Sequence, residues 1–201
     1  MTPVRIAAIV EGHGEVAAVP VLLRRLVELL STDSFADVVA PPFRVSRSSI
    51  TKPGQIERYV ELAARSAGAD GAVVVLLDAD DDCPARLGPE LLGRARAARP
   101  GYSISVVLAE REYESWFLAA ADSLDGCPGF DPDLTAPDDA ERLRDAKGWL
   151  SRNRTDGLSY SPTADQAALT ALVDLAAARQ PSASFDKLCR DIERLISPRS
   201  T

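Results

Sequence analysis

The chain is nearly without histidine: His13 is the only one in 201 residues. A Ser-His-Asp or Cys-His relay is therefore closed to it unless His13 itself serves. Cysteine is scarce too. Cys83, Cys127 and Cys189 are odd in number and far apart, so neither a disulfide framework nor a zinc site is suggested. No apolar run approaches the ~20 residues of a membrane-spanning helix, and no membrane is expected among the partners. An excess of positive charge is also missing. Lys and Arg number 23 against 30 Asp and Glu, a net charge of −7. That balance argues mildly against indiscriminate nucleic-acid binding, which works by neutralising phosphates. It does not exclude a nuclease, because bound divalent cations reverse the sign of a carboxylate-rich site.

What is present reads as one α/β domain with a sizeable core, and 46% hydrophobic with 26% charged residues is ordinary for a globular protein. The opening Met1-Thr-Pro-Val-Arg enters a strand-like run without the features of a signal peptide, so a cytoplasmic location is expected. Val4 to Val10 reads as a buried strand, and residues 15–30 have helical spacing around an awkward Pro20. Phe43 to Ser46 is expected as a second strand, "SRSSITKPG" as loop, and Gln55 to Ser66 as helix. "GAVVVLLDADDDCP" holds the clearest strand, Val73 to Leu77, before an acidic loop. A helix near 88–98, the strand "YSISVVLAE" and a helix "REYESWFLAAADSL" follow. This alternation implies a mostly parallel sheet of about four strands over residues 1–122. Residues 123–201 read as a helical extension packed on it, with helices near 138–152, 163–179 and 184–196. Thr163-Ala-Asp-Gln166 is expected to cap the second of these.

Three groups of residues carry chemistry. Gly12-His13-Gly14 with Ala17 matches G-x-G-x-x-A between a strand and a helix, the pattern of a dinucleotide cradle. Against that reading, Glu11 and Glu15 put negative charge beside the supposed phosphates, and no acidic residue ends the second strand. The second group is acidic. Glu11 ends the first strand and Asp78 the third, with Asp80, Asp81 and Asp82 following. In a parallel sheet both belong to the C-terminal rim, where ligands bind. Crowded carboxylates repel one another unless a cation joins them, and an all-oxygen site suits magnesium or manganese. The plainer alternative is a solvated acidic loop. For Glu110, Glu112 and Glu114 the ordinary explanation is favourable charge at a helix start. The third group is basic: Arg44, Arg47 and Lys52, and "RLRDAKGWLSRNR" with Arg142, Arg144, Lys147, Trp149, Arg152 and Arg154. It could hold phosphates and stack a base, or form a solvated helix face. His13 is a loop-tip residue able to contact substrate.

"IVEGHGE" and "LLDADDD" together resemble the Toprim domain shared by topoisomerases, bacterial primases, a ribosomal-RNA maturation nuclease and the overcoming-lysogenization-defect nucleases. With "REYESWFLA" and "SFDKL" (Ser184 to Leu188), the whole chain resembles a bacterial family of Toprim-like proteins of unknown function. The resemblance implies a Rossmann-like α/β fold. Glu11 would be general acid/base or metal ligand, Asp78 and Asp80 would hold magnesium, and Glu15 with Glu114 (or Glu112) would be further ligands. The activity implied is metal-dependent phosphodiester hydrolysis on DNA or RNA, with His13, Arg47, Lys52, Lys147 and Arg152 against the substrate. By analogy with related nucleases, the expected partners are nucleic acid, a separately encoded ATPase and a second copy of the chain, and the expected role is defence against phage. A phosphatase or nucleotidyl hydrolase on a small phosphorylated molecule, and a non-enzymatic Toprim-like binding module, are the alternatives.

Overall fold

The alternation of β-branched and helical stretches produces a parallel sheet covered on both faces. A computed structural model describes residues 2–127 and 129–197. Its strands are β1 (Thr2–Val10), β2 (Ser34–Arg44), β3 (Ala72–Asp78) and β4 (Ser103–Ala109), in the order β2-β1-β3-β4 with every pair parallel. The helices are α1 (Glu15–Leu30), α2 (Arg47–Ile50), α3 (Gln55–Ala67), α4 (Pro84–Ala98), α5 (Ser115–Ala119), α6 (Ala146–Arg152), α7 (Pro162–Leu172), α8 (Leu175–Arg179) and α9 (Ala183–Ile196). None of them is long and apolar enough to cross a membrane.

Side chains of a strand alternate between faces, and here the two sets enter separate cores. Ala7, Ile9, Val73, Val75, Val106 and Leu108 pack under α3 and α4 with Ile56, Val60 and Leu91. Ile6, Ala8, Val10, Val74, Leu76 and Val107 pack under α1, α5, α7 and α9. Residues after 122 thus supply much of the cover of one sheet face. Phe185 of α9 is 1% exposed and meets Trp116 of α5 edge-on at 5.1 Å between ring centroids. Burying a side chain of that size contributes about 1.5–3 kcal/mol.

Several elements differ from the sequence reading, and the helix expected over 163–179 is divided into α7 and α8. The second strand is not confined to Phe43–Ser46 but spans Ser34–Arg44, through Pro41 and Pro42. As an edge strand it has one side free of ladder bonds, which is where proline is tolerated. The register slips between Ala7, opposite Val39, and Ile9, opposite Phe43, which accommodates the extra residues. The loop expected after it contains the short helix α2. The helix expected from Arg111 begins only at Ser115, because Arg111 turns the chain at φ +64. The helix expected from 138 begins at Ala146, where Asp145 at φ +68 accepts a hydrogen bond from the Gly148 amide. Finally, α7 is capped at Ser161 rather than Thr163, with the Ser161 amide donating to the Asp165 carboxylate at 2.7 Å.

The direction of winding reverses at β1: the first crossover leads to β2 on one side and the next to β3 on the other. Ligands of open α/β sheets bind at such a switch point, beyond the carboxyl ends of the strands. Glu11 follows β1 directly and Asp78 is the last residue of β3, so both stand at it.

Candidate functional site

The carboxylates of Glu11, Asp78 and Asp80 share one design. Each is held through one oxygen, and the other accepts no hydrogen bond from the described residues. Glu11 Oε1 accepts from the Arg47 amide at 3.2 Å, while its buried Oε2 has no partner. Asp78 Oδ1 accepts from the Tyr113 amide at 2.8 Å. Asp80, at φ +50, is held through Oδ2 by the Arg47 guanidinium at 2.9 Å. Arg47 therefore bridges Glu11 and Asp80, and a second guanidinium nitrogen reaches Asp82. Among the described residues no three acidic, histidine or cysteine side chains already form a ready-made ligand group.

Glu15 and Glu114 lie deeper. Glu15, 3% exposed in the first turn of α1, folds back to accept the Glu11 amide at 3.0 Å. Glu114, 1% exposed, accepts from the Tyr160 hydroxyl at 2.8 Å, Gln166 Nε2 at 3.3 Å and Lys147 Nζ at 2.8 Å. Lys147 also pairs with Glu112. A pocket of about 240 Å³ opens among these groups, lined by His13, Glu15, Asp78, Glu114, Lys147 and Gln166. Gln166 is 2% exposed, and its Oε1 has no hydrogen-bond partner among the described residues. The orientation of its amide follows from Glu114, whose carboxylate requires the nitrogen side.

Negative charge is confined there without a full complement of cations. Burial pushes Glu15 up to about 7; the Glu11 and Gly12 amides oppose this, and the charges of Glu11 and Glu114 add to it. Asp78 is raised well above the usual carboxylate range, by burial first and then by Glu15 and Glu114, with Lys147 and the Tyr113 amide opposing. Glu11 is raised by burial and by Asp80, against the Arg47 and Asp78 amides and the Arg47 charge. Burial works against the Lys147 ammonium, yet Glu114 and Glu112 outweigh it and raise its pKa.

The glycines of the opening loop are explained by close approach. A Cβ on Gly14 would lie 2.4 Å from Gln166 Oε1 and 2.5 Å from the Pro162 carbonyl oxygen, and one on Gly12 would lie 3.0 Å from Glu15 Oε1. Glu15 and the start of α7 thus occupy the ground a pyrophosphate would need. Gly14→Ala is expected to cost about 1–3 kcal/mol through overpacking, read as a lower urea midpoint. Gly93→Ala, inside α4 with nothing within 4 Å of the added methyl among the described residues, is the unhindered control and is expected to gain up to about 1 kcal/mol from helix propensity.

Of the basic residues expected at substrate, Arg47 and Lys147 are at the site. Lys52 is exposed in the turn before α3, and Arg152 is exposed on α6 and paired with Asp145 at 3.3 Å; neither lines the pocket. Their places are taken by Arg111 and Arg144, which flank a neighbouring hollow of about 220 Å³ together with Lys147. Both pair with Asp81, at 2.7 and 2.9 Å. None of Arg111, Tyr160 and Gln166 was expected at the site: Arg111 opens "REYESWFLA", Gln166 closes the expected capping box, and Tyr160 lies in no motif. Only the fold brings the α7 segment over the end of β1.

No curated protein and no solved structure matches the chain. One family model does, over residues 10–193, a span that takes in every group described at the rim. The chain belongs to the family described as a domain of unknown function, DUF4276.

Proposed function

We propose that the protein is a metal-dependent phosphodiester hydrolase acting on DNA or RNA. One observation carries the reading: three carboxylates at the switch point, Glu11, Asp78 and Asp80, are each anchored on one side and open on the other, and Glu11 Oε2 is buried without a partner. This donor set fits magnesium or manganese, which take oxygen ligands, and an unsatisfied buried carboxylate oxygen is costly without a cation. Glu11, Asp78 and Asp80 would hold the ion. Such an ion, when bound, neutralises charge on a scissile phosphate and acidifies a water.

The chain's own residues do the rest. Glu11, whose pKa is raised by burial, can take and return a proton at Oε2. Glu15 fixes the Glu11 backbone through its amide, and Glu114 fixes Lys147. Lys147, Arg111 and Arg144 offer cations for the phosphates on either side of the scissile one. The start of α7, seated against Gly14, forms one wall of the pocket. The same reading extends to kinship with Toprim nucleases, to a cytoplasmic setting, and to assembly as a homodimer or with a separately encoded ATPase in phage defence.

Incubation with labelled single-stranded and duplex DNA and RNA, with Mg2+ or Mn2+, is expected to give cleavage that EDTA abolishes. Glu11→Gln, which keeps the Arg47 amide bond but not the basic oxygen, should lower the rate about 10²–10⁴-fold. Absence of cleavage of every substrate with either metal would overturn the reading. The small size of the pocket favours a second possibility, a phosphatase on a small phosphorylated molecule. Release of inorganic phosphate from mononucleotides in the same assay, with polymers intact, would select it.

A further inference from the structure

We infer that the hollow of about 540 Å³ beside β4 is a nucleotide subsite, taking an amino-bearing base, guanine foremost, of a single strand whose backbone lies at the carboxylate pocket. The inference rests on the phosphodiester reading and adds the substrate's form and a base preference to it.

The size suits a nucleoside, since small-ligand sites run to about 300–1,000 Å³. Its wall is apolar where a base face would lie, with Val106 and Leu108 of the sheet's edge strand opposite Pro84 and Pro89 of α4. Most polar groups around it are already satisfied. Glu141 accepts from the Ser182 and Ser184 hydroxyls and the Ala183 amide, and Ser184 Oγ accepts from Trp116 Nε1 at 2.8 Å. Lys187 pairs with Asp191 and Arg190 with Asp186. Glu110 differs. It is half-buried in this wall, and its carboxylate accepts no hydrogen bond from the described residues.

A free carboxylate asks for donors, and phosphate oxygens have none to give. A base edge does. The N1–H and amino group of guanine are parallel donors that match the two carboxylate oxygens, and charge-assisted paired bonds of this kind are the strong ones. Glutamate likewise accepts from the amino group of cytosine.

The hollow is also continuous with the proposed reaction site. Asp81 and Arg111 line both it and the 220 Å³ hollow, and Lys147 lines both the latter and the carboxylate pocket. Lys147, Arg144 and Arg111 therefore form a row of cations between the two ends. Asp81, which holds two of them, is 76% exposed, and ion pairs so open to water exchange for phosphate at little net cost. A base can enter the β4 hollow only when splayed from its neighbours, as single strands allow.

The test is fluorescence anisotropy in EDTA, so that binding is read without cleavage. The probes are a labelled oligothymidylate, the same strand with two guanines, and one with two inosines, which lack the amino group. The guanine strand is expected to bind about tenfold more tightly than the inosine strand. Glu110→Gln should erase that difference, while Lys52→Ala, at an exposed turn outside the hollow, keeps it. Equal affinity for all three strands, no binding of any, or a preference that survives Glu110→Gln would overturn the subsite. Cleavage without guanine preference removes the subsite alone, and guanine preference without cleavage removes the hydrolase reading alone.

Discussion

Asp78→Asn is expected to lower metal-dependent cleavage by about 10³-fold or more, several kcal/mol of transition-state stabilisation. The substitution keeps Oδ1, and with it the 2.8 Å bond from the Tyr113 amide that ties the end of β3 to the loop after β4. What it removes is the charge on the free oxygen. The fold should survive and even gain. Asp78 is raised by burial and by the nearby Glu15 and Glu114, so an uncharged side chain relieves repulsion in the metal-free protein. Lower activity with a higher melting temperature above pH 7 is the signature of a site that gives up stability for function. An Asp78→Asn protein that retains a tenth of the wild-type rate would show that this carboxylate does not hold the ion.

Stability without metal should fall as pH rises from 4.5 to 7. Glu15 moves from 4.5 in the unfolded chain to about 7 in the folded one. Between those values the folded state holds more protons than the unfolded, so the contribution is fully present below 4.5 and is lost through 7. The displacement corresponds to about 3 kcal/mol, or roughly 6–12 °C in melting temperature for a chain of this size. Asp78 and Glu11, also raised, act in the same sense. Glu15→Gln should flatten much of the slope. Magnesium or manganese should restore stability at pH 8 and do less at pH 5, where protons compete for the raised carboxylates of Glu11 and Asp78. Urea midpoints that are flat from pH 5 to pH 8, or that rise, would mean the carboxylate charges are compensated within the protein.

The sheet was legible because its central strands are short apolar runs ended by acidic residues, and Glu11 and Asp78 stand at those ends as read. The edge strand was not, since Pro41 and Pro42 look like breaks unless one knows that β2 has a free side. The glutamates that follow β4 divide along the same line. Glu114 was visible as a residue, but its partners Tyr160 and Gln166 come from a distant segment and follow no spacing rule. The glycine pattern misled in the opposite direction. Gly12 and Gly14 suit a phosphate cradle by spacing alone, whereas the room they leave is used by Glu15 and by Pro162 and Gln166 of α7. Basic residues were legible only as a population. Lys52 and Arg152 sit in favourable-looking stretches yet face solvent, while Arg111, beside three glutamates in sequence, points its guanidinium at Asp81.

The central claim is that Glu11, Asp78 and Asp80 hold a divalent cation. Its most direct test is titration calorimetry with Mn2+ at pH 7.5, in two buffers of different ionisation enthalpy, on wild type and Asp78→Asn. The expected result is micromolar-to-millimolar binding by the wild type, with protons released as the raised carboxylates ionise, and its loss in the variant. Equal heats in both proteins, or none in the wild type even with an uncleavable phosphorothioate strand present, would contradict it.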